Sequence, residues 1–126
     1  VVVWARDEVL SGHYATPVHH DGFLYGFDGR QEEGCSLRCV ELESGRVRWS
    51  QDQFGAGTLI LASNVLLILT ERGELVEASA SPAGFHPMNR AQILGLEVRA
   101  HAALAEGRFY GRSKQQLVCV DLTKSR

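Results

Sequence analysis

The sequence predicts an all-β fold assembled from repeated four-stranded antiparallel sheets. Two observations carry that expectation. Apolar stretches of strand length are separated by turns rich in Gly, Asn and Asp, and a unit of about 42 residues recurs along the chain. Asp21-Gly22-Phe23-Leu24-Tyr25-Gly26 returns 85 residues later as Glu106-Gly107-Arg108-Phe109-Tyr110-Gly111. Ser63-Asn64-Val65-Leu66-Leu67-Ile68 stands midway, 42 residues after the first copy. A second element repeats in step. Leu37-Arg38-Cys39-Val40-Glu41-Leu42 matches Leu117-Val118-Cys119-Val120-Asp121-Leu122 at an offset of 80, and the longer loop from Gly29 to Cys35 absorbs the difference. The middle copy reads Glu74-Leu75-Val76-Glu77-Ala78-Ser79.

In the first unit, Ala15 to His20 is a short strand with Pro17 at its start or edge. Asp21-Gly22 is the hairpin turn, and Phe23 to Phe27 is the second strand. Leu37 to Leu42 alternates, with Leu37, Cys39 and Glu41 on one face and Arg38, Val40 and Leu42 on the other. Ser44-Gly45 turns the chain into Arg46-Val47-Arg48-Trp49, a half-exposed fourth strand. In the middle unit, Thr58 to Ala62 and Val65 to Thr70 suit strands covered on both faces. Glu71-Arg72-Gly73 is a turn, Ser79 to Pro87 a loop, and Ala91 to Leu94 the expected fourth strand. The third unit begins near Arg99. Its Ala-rich segment, Ala100 to Glu106, is short for a helix and takes the place of a first strand; the unit stops after its third strand.

Four-stranded meanders of this length are the blades of a β-propeller. The chain divides into residues 1–10, an outer strand of a shared blade; 11–53, a blade; 54–96, a blade; and 97–126, an incomplete blade. Rings close with roughly four to eight blades, so three imply completion from outside. Val1-Val2-Val3-Trp4 resembles Arg46-Val47-Arg48-Trp49. The chain thus opens on an outer strand and ends without one. The expected partners are further copies of the chain, the remaining blades of a longer parent protein, or another protein bound to the loops. A first residue other than Met fits a piece or a processed product.

Composition narrows the function. Lys and Arg number 13 against 15 Asp and Glu, a net of −2, which gives no electrostatic case for nucleic acid. The longest apolar run, Thr58 to Thr70, is interrupted by Ser63 and Asn64 and falls short of the roughly 20 residues of a spanning helix. Three cysteines are present, Cys35, Cys39 and Cys119, and an odd count argues against a complete disulfide framework. On a strand Cys35 and Cys39 stand about 13 Å apart, so buried thiols acting as small hydrophobes are expected. His19 and His20 are adjacent and point to opposite faces of a strand. With His13, His86 and His101 they are read as core or surface residues, not as a metal site. No Gly-x-Ser-x-Gly elbow exists, and Gly55-Ala56-Gly57 lacks the Lys of a phosphate loop. Arg38, Arg46 and Arg48, with Glu41 and Glu43 nearby, read as a solvated, salt-bridged face. No catalytic, cofactor-binding or metal-binding residue is assigned.

The stretch from Cys39 to Trp49 resembles the tryptophan-docking motif of pyrroloquinoline-quinone-like (PQQ-like) β-propeller repeats. Cys39 stands for the motif's Ala, Glu41 for its Asp and Ser44 for its Thr, while Gly45 and Trp49 are identical. Tyr25-Gly26-Phe27-Asp28-Gly29 is similar to the family's second strand. In the third unit Cys119 and Asp121 fit, but Lys124 and Ser125 replace Thr-Gly; the middle unit loses the motif after Ala78. The resemblance implies a structural role for Cys39, Glu41, Ser44, Gly45 and Trp49. Gly45 permits the turn, Ser44 and Glu41 bind its amides, and Trp49 ties neighbouring blades together. It implies a bacterial, non-catalytic scaffold for protein or ligand interaction, presenting loops such as Gly29–Cys35, Gln51–Gly57 and Ser81–Pro87, in a periplasmic or secreted setting. The alternative is a piece of a quinone-dependent dehydrogenase. Such enzymes hold Ca²⁺ and quinone and in several cases carry an adjacent-cysteine disulfide, and this chain has no Cys-Cys pair.

Overall fold

Strand-forming segments and turns follow one another along the chain as the repeat requires. The computed structural model describes residues 1–12, 15–30, 34–123; His13, Lys124 and Ser125 fall outside them. Eleven strands are present among the described residues: β1 Val18–His20, β2 Phe23–Asp28, β3 Ser36–Glu41, β4 Val47–Gln51, β5 Gly57–Ala62, β6 Val65–Thr70, β7 Glu74–Ser79, β8 Pro87–Gln92, β9 Ala103–Ala105, β10 Arg108–Arg112 and β11 Leu117–Asp121. They form three antiparallel meanders in the orders β1-β2-β3-β4, β5-β6-β7-β8 and β9-β10-β11.

The repeat is visible in the register. Tyr25 pairs Cys39, Leu67 pairs Glu77 and Tyr110 pairs Cys119, the same position in each sheet. The third and fourth strands of both complete sheets break register at matching places, between Cys39 and Val40 and between Glu77 and Ala78. Such a bulge bends the outer strand away from its neighbour.

Two apolar layers join the sheets. One face of the first sheet contributes Tyr25, Phe27, Leu37 and Cys39, which pack on Leu59, Leu66, Ile68, Val76 and Ala78 of the second. The opposite face of the second sheet contributes Leu67, Leu69 and Leu75, which pack with Leu94, Val98 and Phe109 toward the third. This explains why Val65 to Thr70 lacks polar alternation. β6 lies between two neighbours, and Leu66 to Thr70 are all buried.

The fourth strand of the middle unit departs from expectation. It runs over Pro87–Gln92 rather than Ala91–Leu94. Pro87 opens the strand, where its missing N–H is tolerated. Ile93 and Leu94 leave the sheet, and both amides donate to the Gly73 carbonyl, at 2.9 and 3.1 Å. Leu94 is thereby freed to fill the layer toward the third sheet. Ala103–Ala105 is strand, as its place in the repeat requires. Residues 1–10 pair with none of the strands among the described residues.

Candidate interblade docking site and open edge

The turn from β3 into β4 brings the motif residues together. The Gly45 amide donates to the Glu41 carbonyl at 2.9 Å with φ at +74°, and the Glu41 amide donates to the Arg46 carbonyl at 2.8 Å. The Ser44 hydroxyl donates to the Glu41 carboxylate at 2.6 Å while accepting from the Arg46 amide at 3.1 Å. Gly45 is needed for its left-handed backbone and for space: a Cβ there would stand 2.6 Å from the Trp4 ring.

Trp49 reaches across to the second sheet. Its indole N–H donates to the Ser81 carbonyl in the β7–β8 connection at 2.8 Å. Its ring lies between Tyr25 of its own sheet and Phe85 of the next, with centroids 6.3 and 6.1 Å away. Phe85 meets Phe54 edge-on at 5.5 Å, and Phe54 meets Phe27 at 6.1 Å. Five aromatic rings thus form a continuous seam between the first two sheets. The seam gives Ser81–Pro87 a role other than free display, because Phe85 turns inward from that connection and packs on the core. Sequence reading found Trp49 and missed Phe54 and Phe85. Isolated aromatics in loops carry no period, and their only signal was hydrophobicity inside a turn-rich stretch.

The same docking is made a second time. Trp4 donates its indole N–H to the Leu42 carbonyl in the β3–β4 connection at 2.9 Å, and Arg6 donates to the Ser44 carbonyl at 2.8 Å. Trp4 therefore stands to the first sheet as Trp49 stands to the second. Asn89 pairs with Glu77 where Trp49 pairs with Cys39, so the second sheet lacks the anchoring ring.

The third sheet ends on an open edge. β11 is its outermost strand. Leu117 and Cys119 hold the register positions of Leu37 and Cys39, yet Leu37 is 0% exposed and Leu117 71%. Cys39 is buried and Cys119 exposed, which corrects the expectation that all three cysteines are buried. The chemistry is the same, and what differs is the missing neighbour. No disulfide links the cysteines.

Burial pushes the Cys39 thiol above its usual range. Burial likewise raises the adjacent Tyr25 phenol, with the Cys39 thiolate adding to the effect. The Tyr25 hydroxyl lies against the Cys39 thiol, a weak partner, and makes no other hydrogen bond among the described residues. Removing it is expected to matter little: Tyr25→Phe should change the unfolding free energy by no more than about 1 kcal/mol in either direction. Urea titration of the two proteins checks this.

The arginines divide between two surfaces. Arg48 faces Glu41 at 3.5 Å and lies over the Phe23 ring at 5.4 Å. Arg38 instead turns to Asp28 at 3.2 Å and donates to the Glu8 carbonyl at 2.8 Å, holding the N-terminal segment against the first sheet. Only Arg48 fits the expected pairing with Glu41. Hydrogen bonds from Ser44 to Glu41, from Ser50 and Ser36 to Asp52, and from Thr123 to Asp121 hold those carboxyls below their usual range. Depressed folded-state values stabilise the fold fully above the unfolded value of about 4, and the contribution is lost as pH falls through the lower folded values. Melting temperature against pH is therefore expected to hold flat from pH 7 to about 5 and fall below about 4. Ser44→Ala should make the fall shallower.

Among the described residues no group of three or more His, Cys, Asp or Glu side chains is placed to hold a metal ion. His19 accepts from the Gly22 amide at 3.1 Å, closing the β1–β2 turn. No helix among the described residues is long and apolar enough to cross a membrane.

No protein-family model matches the chain, and no curated protein matches it in sequence. Among solved structures it is similar to BamB from Moraxella catarrhalis, with a TM-score of 0.67 at 16% identity over 87% of this chain. The chain spans 34% of the length of that protein. The likeness shows the fold: the three meanders are successive β-propeller blades, three four- or three-stranded sheets of a partial ring.

Proposed function

We propose that this chain is a non-catalytic propeller scaffold for protein interaction whose third blade is completed by a fourth strand from outside, supplied by residues 1–4 of another copy. The observation that carries this reading is that β11 has a strand neighbour on one side only, whereas β3 and β7 at the same place in their sheets each pair with a fourth strand, β4 and β8. An apolar strand with an unpaired edge favours addition of a strand. Val1, Val2 and Val3 are themselves exposed and apolar, and Trp4 already docks as the terminal ring of an outer strand does. The motif residues Cys39, Glu41, Ser44, Gly45 and Trp49 serve as the blade-to-blade fastening. The rigid stack then presents the Gln51–Gly57 connection to a partner; residues 31–33 of the Gly29–Cys35 connection lie outside the described residues. Similarity to BamB supports a propeller scaffold as the fold-level part of the reading.

The test follows mass and thiol chemistry together. Light scattering across a concentration series is expected to show self-association, with Cys119 reacting with a thiol reagent more slowly as concentration rises. Cys39 should stay unreactive in the folded chain, because burial disfavours its thiolate. Deleting residues 1–5 should abolish both the association and the protection of Cys119. A compact monomer at every concentration, with Cys119 uniformly reactive, would contradict the proposal.

A further inference from the structure

A cavity of about 400 Å³ opens between the first two blades, at the end of the sheets where β4 passes to β5 and β6 turns into β7. Its polar lining comes from Gln53, Thr70, Glu71, Arg72, Glu74 and Gln92. We propose that this cavity binds an organic cation carrying a guanidinium or primary ammonium head, with Glu71 as the counter-ion. The proposal is independent of the edge pairing above.

Glu71 carries the argument. Its Oε2 is buried and has no hydrogen-bond partner. A carboxylate oxygen removed from water without a donor is costly, and the cost is relieved when a donor arrives. The nearby carboxylates are already engaged: Glu74 accepts from Arg90 at 3.3 Å, and Asp52 accepts from Ser50 at 2.6 Å and Ser36 at 2.9 Å. The Glu71 backbone is fixed at the edge of the cavity. Its amide donates to the Ala56 carbonyl at 2.9 Å, and its carbonyl accepts from the Val98 amide at 3.0 Å. The backbone is clamped between the two interblade connections.

The other groups fit the same head. Thr70 Oγ1 accepts from the Glu74 amide, which leaves its own hydroxyl hydrogen to give. Gln92 uses its Nε2 on the Arg72 and Leu94 carbonyls, so its Oε1 remains an acceptor. Arg72 is exposed and forms no ion pair with Glu71. The lining is thus richer in acceptors than in donors, which suits a head with several N–H groups. A divalent metal fits less well, because Glu74 is committed to Arg90 and no third carboxylate joins the pair. The volume lies within the usual range for small-molecule sites, roughly 300–1,000 Å³.

The experiment titrates the full chain with N-acetyl-arginine amide and follows backbone amide shifts. The neutral isostere N-acetyl-citrulline amide, calcium chloride, and a short peptide with one internal Arg are run in parallel. Saturable shifts confined to residues 53–56 and 70–74 are expected with the arginine amide and absent with citrulline. Glu71→Gln should weaken binding at least tenfold while leaving the unfolding midpoint unchanged, since the side chain is half-buried and its Oε2 makes no hydrogen bond in the fold. Tenfold tighter binding of the peptide assigns the cation to a partner's side chain; equal affinity assigns a free small cation. The proposal is overturned if no shifts occur, if citrulline binds equally, if Glu71→Gln keeps full affinity, or if Ca²⁺ reproduces the shifts and displaces the arginine amide.

Discussion

Replacing Trp49 by alanine is expected to cost about 3–5 kcal/mol of folding free energy, the range for truncating a large aromatic in a packed layer. The ring is only partly buried, so area alone would place the loss at the low end. Its position raises it. The indole N–H satisfies the Ser81 carbonyl of the next blade, and the ring connects Tyr25 to Phe85, the latter in turn to Phe54 and Phe27. Truncation removes the second of the five rings, cuts Tyr25 off from the seam and leaves Phe85 without support on one side. Trp49→Phe separates the two contributions. It keeps most of the stacking and loses the hydrogen bond, worth about 1 kcal/mol. The measurement is urea unfolding followed by far-ultraviolet circular dichroism, which is independent of the lost fluorophore. A loss under about 1 kcal/mol for Trp49→Ala would mean that the seam is not what joins the first two blades.

That seam also shows where sequence reading ends. The repeat was legible because it recurs at the backbone level. Turn residues such as Asp21-Gly22 and Glu106-Gly107 return at fixed offsets, and the strands between them return in register. Cys39, Glu41, Ser44, Gly45 and Trp49 stood out in the sequence because five positions kept one spacing. The opposing half of the contact did not. Phe54 and Phe85 sit in connections, and nothing in a one-dimensional pattern says that a loop folds inward. The displaced fourth strand of the middle blade has a similar cause. Ile93 and Leu94 read as strand by hydrophobicity, whereas tertiary contacts with Gly73 and the third sheet claim them. Cys119 was misread for a third reason. A residue's burial depends on its neighbours, and sequence similarity to Cys39 carried the residue type without the covering blade. The cavity at Glu71 lay beyond reach altogether, since Glu71-Arg72-Gly73 reads as an ordinary polar turn.

The junction between the second and third blades turns on Gly73, and Gly73→Ala is expected to cost about 3 kcal/mol or more, combining left-handed strain of about 1–3 kcal/mol with lost backbone hydrogen bonds. Gly73 has φ at +85°, and a Cβ placed on it would collide with the Leu94 carbonyl and stand 2.7 Å from the Gly95 carbonyl oxygen. Both obstacles are backbone, so no side-chain rotation relieves them. Retreat of the 93–95 segment would break the two bonds that the Gly73 carbonyl accepts from the Ile93 and Leu94 amides. It would also withdraw Leu94 from its layer with Val98 and Phe109. Gly45→Ala supplies the contrast. Gly45 has a similar φ of +74°, but the nearest obstacle is the Trp4 ring, at 2.6 Å. The ring is able to swing aside, so the expected loss is smaller, about 1–2 kcal/mol. The two variants should differ in kind as well as in size. Gly45→Ala should alter Trp4 fluorescence and leave amide exchange in β9 and β10 unchanged. Gly73→Ala should leave Trp4 undisturbed and speed exchange in β9 and β10, because the third blade is held to the second through the displaced segment. Equal losses with the same exchange pattern would show that the third blade does not depend on that turn.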